Sequence, residues 1–515
     1  MRTLAGSSAL RGKRQSMGRL VTLVASAGCV VGMTVSGGAV ASASSASPAT
    51  AAASAATAAR ASAAARATAA RRAGNPAAAQ AAGVPATSWP AYLNGPLHSS
   101  YAPLQTAITP LNAATLTLKW GPAEAVGAPY ISSPIVVRGS VYVGGADGYF
   151  YRLSEHTGQV LARAYIGNQP SLSCPYALGV SATATYAQDP RTHVLTVYVA
   201  GGDGYLYALR ALTLTREWRS VIGIPSKTIN DYYDWSSPTL ANGKIYIGVA
   251  SSCDRPLVRG AVLSFRQTNG ARLAAFYTVP AGAKYAGGSV WSSIAVAPNG
   301  DVFASTGNGP YGRPRLRQSE SILKLDPNTL RLLGSFKVPA ADESRDGDFG
   351  SSPVFFGNYV GACNKNGIFY ALRQSTMGLA WKQRIGDTAG SSTGECIAAP
   401  VYDGKDLYFG GNATTIGTTP YAGSVQKRSA ATGALIWETG LPGGVMGSPN
   451  MDGGGVIAVG ARSPGATGVY LVGAASGAII ERLMPDGAFG QSVFAENRLF
   501  CATATGVYAW ALPGG

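Results

Sequence analysis

The chain has 515 residues, 46% of them hydrophobic and 13% charged, with 67 glycines and 25 tyrosines, which is enough apolar content to bury a large core. Its formal charge of +16 is uneven: residues 1–87 hold nine Lys and Arg and no acid, so +7 is left for residues 88–515. Spread over a domain of that size, the excess argues against a nucleic-acid patch and for a solvated surface with some attraction to an anionic envelope.

Arg11, Lys13, Arg14 and Arg19 precede an apolar run from Leu20 to about Val40, and Ala41-Ser42-Ala43 offers small residues for signal cleavage. Residues 1–43 are expected to be a signal peptide and the protein to be secreted or held in the cell envelope. The Ser, Thr and Gly in the run make it a poor anchor, so no transmembrane span is expected after cleavage. Residues 44–87 are almost all Ala, Ser, Thr and Arg. They have little to bury and read as a disordered linker.

A lone strand-type run, Leu116 to Trp120, comes before the first copy of a repeat that is plainest from Asp348 to Trp381. There Ser352-Pro353 opens a run from Val354 to Phe356, and Gly357-Asn358 separates it from Tyr359 to Ala362. Asn366-Gly367 leads to Ile368 to Leu372, and Leu379-Ala380-Trp381 begins a fourth run. Asn-Gly between β-prone runs predicts a type I′ hairpin turn. Equivalent first strands begin at Ser133, Ala182, Ser237, Ser293, Ser352, Ala399, Ser448 and Ser492, eight copies about 45 to 60 residues apart. Third strands are followed by Thr-Gly or Asn-Gly type turns and often by a tryptophan: Trp218, Trp381, Trp437. One small four-stranded sheet cannot bury both faces alone. Eight of them predict an all-β fold over residues 88–515, an eight-bladed β-propeller of four-stranded antiparallel blades. The eighth copy stops at Trp510, before its fourth strand. Leu116 to Trp120 is expected to supply that strand and close the ring, removing an exposed edge.

In such blades the loop before the first strand and the loop between the second and third open on one face. The second-to-third loops vary most, at Ser251 to Gly260, Asn308 to Gln318, Gly411 to Gly423 and Arg462 to Gly468. Long loops on one side of a rigid scaffold mark its functional face. Asp254, Trp291, Asn308, Asp348 and Lys365, with Tyr232, Tyr233, Asp234 and Trp235, belong to these loop classes in three consecutive copies. They are expected to converge near the central channel. Each also has an ordinary use: Trp291 in blade packing, Asp348 as a loop cap, Asn308 and Asp254 as turn formers, and Lys365 within a hairpin.

Cys363 ends one copy's second strand and Cys396 precedes the next copy's first, so a bridge between them is expected. Cys174 with Cys253 is a second candidate pair, Cys501 would stay reduced, and small buried thiols are the alternative. His98, His156 and His193 have no metal spacing and are expected at the surface or in turns. The chain has no CxxCH, phosphate loop or GxSxG.

YALRQSTMGLAW and KRSAATGALIW resemble the tryptophan-bearing blades of the quinoprotein alcohol dehydrogenase-like propellers, which bind pyrroloquinoline quinone (PQQ). The resemblance covers about residues 88 to 515, and SWPAYLNGPLHSSYAP is similar to the family's opening segment. GGSVW, ending at Trp291, resembles the segment whose tryptophan stacks under the quinone. STGN, ending at Asn308, is similar to the motif whose asparagine binds calcium. DFGSSP, beginning at Asp348, resembles the motif of the catalytic aspartate. NKNGIFYAL places Lys365 where the family has a basic residue on the quinone, and SSCDRPLVRG places Asp254 where it usually has a glutamate ligand. Ala200-Gly201-Gly202 stands where many members have adjacent cysteines.

The resemblance implies an exported oxidoreductase of alcohols or sugars that uses PQQ and calcium. Asp254, Asn308 and Asp348 would be the metal ligands, Asp348 also the catalytic base, and Trp291 and Lys365 the quinone contacts. With no haem motif in the chain, electrons would leave to a separate acceptor. The alternative that the same repeats allow is a non-catalytic propeller that binds a protein or an envelope polymer on this face.

Overall fold

The computed structural model describes residues 84–515 apart from 124–126, 128–130, 170–177, 227–230, 255, 311–315, 388–395, 464–466 and 484–489. The expected signal peptide and most of the expected linker lie outside the described residues. Eight sheets follow one another along the chain, each with an antiparallel four-stranded core, and they form the eight-bladed propeller that the repeat predicts. Blade 1 is Ile135–Val137, Ser140–Gly144, Tyr149–Ser154 and Val160–Tyr165; blade 5 is Val354–Phe356, Tyr359–Cys363, Ile368–Arg373 and Leu379–Arg384. In blade 1 the first two strands are buried throughout, whereas Val160–Tyr165 alternates partly buried with exposed residues. An outer strand is wedged on one side and wet on the other, so only every second side chain packs.

The tryptophans explain the Thr-Gly turns. Trp381, on the outer strand of blade 5, lies against Gly433 in blade 6, and its Nε1 donates to the Ala430 carbonyl at 3.3 Å. Trp437 seats in the same way on Gly477 and the Ala474 carbonyl (3.2 Å), and Trp120 on Gly158 and the Glu155 carbonyl (2.8 Å). The three glycines have φ of 72°, 75° and 71°. A β-carbon there would be strained and would also press into the indole, so glycine is required twice over. Each of these three outer strands is thereby fastened to the next blade.

Ring closure follows the sequence reading. Thr117–Trp120 pairs antiparallel with Val507–Ala511, with Leu118 opposite Trp510, and completes blade 8. The ring is also fastened at its centre. The Gln491 N–H donates to Ser133 Oγ at 2.8 Å, Ser133 N–H to Thr183 Oγ1 at 3.0 Å, and Thr183 N–H to Ser237 Oγ at 3.0 Å. The chain of bonds goes on from Ser237 N–H to Ser293 Oγ and from Ser293 N–H to Ser352 Oγ, both at 2.9 Å. At blade 6 the sequence has Ala399 instead of a hydroxyl, and the Tyr92 hydroxyl bridges the two flanking serines, Ser352 and Ser448.

Tyr92 belongs to a segment that encircles the other end of the first strands. The carbonyls of Thr87, Trp89, Pro90, Pro96, Leu97, Ser99 and Ser100 accept N–H groups from the first-strand regions of seven of the eight blades. Tyr101–Ala102 then adds a parallel strand to blade 7.

Three expectations are corrected. His98 is not a surface residue: it is 1% exposed, and its Nδ1 meets the Pro353 carbonyl at 2.8 Å. Gly411 to Gly423 is not a loop but the extended end of a hairpin, Asp406–Ile416 with Thr419–Ser429, because its Thr-rich alternation continues the ladder. Asn366-Gly367 is not a type I′ turn, since only Gly367 has positive φ (83°). The Gly367 N–H bonds the Asn364 carbonyl (3.0 Å), and Asn366 uses its side chain to accept the Ile368 N–H (2.9 Å). Lys365 is left at the corner of that turn.

The disulfide Cys363–Cys396 is present, with the α-carbons 5.1 Å apart, and Cys501 is a buried free thiol. Cys253 is disulfide-bonded, and its expected partner, Cys174, lies outside the described residues.

Candidate functional site

Where the starts of the first strands converge, they enclose a cavity of about 510 Å³, a size suited to a small organic ligand. Its wall has a charged side, with Asp254, Asp346, Asp348 and Lys365, two indoles, Trp235 and Trp291, and a collar of hydroxyls that includes Ser133, Thr183, Ser237 and Ser293. Ile131, Ile397 and Met446 line other parts of it.

The charged side is built by blades 3 to 5. Asp348 is 5% exposed and held on three sides. One carboxylate oxygen accepts the Asn308 N–H at 2.6 Å, the other meets Lys365 Nζ at 2.6 Å, and its carbonyl accepts the Lys365 N–H at 2.8 Å. Gly307 packs so closely on this carboxylate that a side chain there would displace it. Lys365 Nζ also lies 3.0 Å from both oxygens of Asp346 and 5.5 Å from the centre of the Trp291 ring. Asp254 has φ of 57° and accepts a hydrogen bond from Ser251 Oγ. Its loop is anchored from below, as Asp231 accepts the Ser252 hydroxyl and, at 3.0 Å, the Cys253 N–H. Trp235 Nε1 donates to the Ser251 carbonyl at 2.8 Å, and the Trp235 ring stands edge-on to Tyr233, 4.7 Å between centroids.

Two carboxylates, Asp346 and Asp348, pair with one ammonium, and a third, Asp254, lies within reach of their charges. Burial, and then repulsion from Asp348, push the Asp254 carboxyl up to about 6, against the pull of Ser251 and Lys365. Asp346 is raised for the same two reasons. Burial alone would lower Lys365, but Asp348 and Asp346 more than offset it, and the amine is held above its ordinary value as a cation. The group therefore carries surplus negative charge that a bound cation would relieve.

The family model described as outer membrane protein assembly factor BamB matches residues 38–275. No curated protein matches the sequence. Among solved structures, the quinohemoprotein alcohol dehydrogenase of Comamonas testosteroni superposes with a TM-score of 0.65 at 16% identity, over 85% of this chain and 84% of that one. A europium-containing methanol dehydrogenase gives 0.66 at 15% identity, over 83% and 98%. BamB of Moraxella catarrhalis gives 0.50 at 16% identity, over 78% and 98%. The chain has the fold of the PQQ-like propellers.

In this propeller four of the five expected site residues, Asp254, Trp291, Asp348 and Lys365, line one cavity. Asn308 is beside them but meets Asp348 through its backbone, while its side-chain amide donates to the Gly309 carbonyl at 3.1 Å. Among the described residues no three His, Cys, Asp or Glu side chains are grouped as a metal centre. Of the other residues expected to converge, Trp235 lines the cavity and Tyr233 braces it. Asp234 is buried, with one carboxylate oxygen lacking a partner; burial and then Asp203 raise its carboxyl well above the usual range.

Sequence reasoning missed Asp346, Tyr92 and the hydroxyl collar. A signal for Asp346 was available: it precedes Asp348 by two residues, the spacing that puts side chains on one side of an extended chain.

Proposed function

We propose that the protein is an exported oxidoreductase that binds PQQ and a calcium ion in this cavity and acts on an alcohol or a sugar. The observation that supports it best is the grouping of Trp291, Lys365, Asp348 and Asp254 around one cavity of suitable size. The residues fit the two groups by chemistry. An indole face and an ammonium suit a flat anionic quinone. Surplus carboxylate charge suits a hard cation, with Asp254, Asp348 and the Asn308 amide oxygen as its donors. When bound, the quinone supplies the two-electron acceptor and the cation a Lewis acid.

The chain's own residues do the rest. Asp348 takes the hydroxyl proton of the substrate on a carboxylate oxygen, at a position fixed by the Asn308 N–H and Lys365. Lys365 pairs with that carboxylate at 2.6 Å and offers positive charge beside it. Trp291 gives an apolar surface that excludes water from one side. The chain carries no haem-attachment motif, so a separate acceptor takes the electrons, and the leader-like first 43 residues support export.

A second reading is a non-catalytic propeller that binds a protein or envelope polymer; the BamB family match and the BamB fold likeness favour it. Adding PQQ and Ca²⁺ to the purified protein, while recording the absorbance spectrum and dye-linked oxidation of an alcohol and sugar panel, separates the two. Saturable quinone binding with turnover supports the first, and absence of quinone binding rejects it.

A further inference from the structure

The hydroxyl collar is only half used. Ser133, Thr183, Ser237 and Ser293, from four consecutive blades, are 3%, 2%, 4% and 4% exposed, and all four line the cavity. Each oxygen accepts one N–H from the blade before it. A hydroxyl has one proton to give as well as lone pairs to fill, and among the described residues none of these four protons has an acceptor. Such donors need a partner, because a buried O–H left unpaired is costly. The amide oxygen of Gln491, in the same wall, has no partner either. Trp235 adds a second indole, fixed by its bond to the Ser251 carbonyl.

We propose that the collar is a subsite for a neutral polyhydroxylated group, a sugar ring or a polyol. The inference rests on the oxidoreductase reading for its catalytic meaning and names the substrate class of that site. Hydroxyl groups of a polyol accept from the collar while donating to Gln491 and to the carboxylates. An alkanol chain would leave the collar donors unmatched, and a site built to hydrogen-bond rejects analogues that cannot. An inorganic oxyanion suits the donors but not the carboxylate side, where Asp254, Asp346 and Asp348 outnumber Lys365. The indole faces match the C–H face of a sugar ring, which is apolar.

The test uses the full protein without added quinone. Binding of xylitol, D-glucose, 1-butanol and inorganic phosphate is followed by tryptophan fluorescence and by ligand-observed saturation-transfer NMR. Xylitol or D-glucose should bind saturably and at least about 10-fold more tightly than 1-butanol. Ser293→Ala and Thr183→Val should each weaken the polyol about 10-fold, and Ser293→Thr should restore it. If 1-butanol or phosphate binds as well as the polyols, or if no polyol binds, the subsite assignment is wrong. Should either hydroxyl-deleted variant fail to fold, the wild-type panel still decides. A parallel PQQ titration keeps the two readings apart: polyol binding without quinone binding rejects the redox reading alone, and the reverse rejects the subsite alone.

Discussion

His98 ties the encircling segment to blade 5, and acid should loosen that tie. Its ring is buried and bonded through Nδ1 to the Pro353 carbonyl. Burial, only partly opposed by that carbonyl, lowers its pKa from 6.5 to about 4. The unfolded chain therefore takes up the proton first. Stability from this group is complete above about pH 6.5, falls as pH drops from 6.5 to 4, and falls no further below that. A gap of about 2.5 units at 1.36 kcal/mol each gives roughly 3 kcal/mol. For a domain of about 430 residues, with an unfolding entropy near 2 cal/mol/K per residue, that is about 3 to 4 °C in Tm.

His98→Asn isolates the effect, because an asparagine amide can donate where Nδ1 does, tolerates the φ of 57° and does not titrate. Thermal melts of both proteins from pH 7.5 to 4 should show the wild type losing these degrees relative to the variant, with all shared carboxylates cancelling in the difference. Hydrogen exchange should locate the loosening at Val296, Phe355 and Tyr402, whose N–H groups bond the segment. If the wild type and the variant fall in parallel across this range, the burial argument for His98 is refuted.

Gly433→Ala should lower stability by about 2 to 4 kcal/mol in thermal melts, the sum of left-handed strain at φ 72° and displacement of the Trp381 indole. Asp348→Asn should retain quinone binding in an absorbance titration but lose about 10²- to 10⁴-fold in turnover, since an amide cannot take the alcohol proton; Trp291→Ala should instead weaken quinone binding itself. Asp254→Glu should hold or raise calcium affinity, measured by calcium titration of quinone-loaded protein, because glutamate carries the carboxylate one methylene farther into the cavity. Replacing Cys363 and Cys396 by Ser should cost about 2 to 4 kcal/mol in denaturant unfolding, as the bridge closes a 33-residue separation.

What the sequence made legible was whatever depends on short-range period. Eight copies of a four-run pattern, a missing last strand and a spare early one are all properties of spacing, and each appears in the ring and in the pairing of Thr117–Trp120 with Val507–Ala511. The Thr-Gly…Trp signature was visible too, but not its reason, since the glycine and the indole that need each other belong to different blades. His98 shows the limit: an isolated histidine between Leu97 and Ser99 has no local mark of burial, and only the closed channel makes it a core residue. Gly411 to Gly423 was misread because Gly and Thr suggest loop, whereas cross-strand pairing carries the ladder through them. The site residues were found by motif. Their shared ion pairing was not, because Asp346 has no motif of its own and acts only through the Lys365 ammonium.

The collar and the encircling segment have to be considered together. The collar passes the N–H of one blade to a hydroxyl of the next; Ala399 interrupts that chain at blade 6, and blade 8 contributes Gln491 in place of a hydroxyl. Tyr92 repairs the break from outside the repeat, with the segment's carbonyls paired to the first-strand regions around the channel. The same segment thus stabilises the ring and, through Tyr92, forms part of the cavity wall. A perturbation of Tyr92 therefore acts on two things at once. Tyr92→Phe removes only the bridge between Ser352 and Ser448 and leaves the ring of the side chain in place, so it should cost about 1 kcal/mol; by freeing two more collar hydroxyls it should also change the affinity for polyols in the binding assay. If Tyr92→Phe lowers stability with no change in ligand affinity, the hydroxyl of Tyr92 serves the ring alone and the collar does not act as one surface.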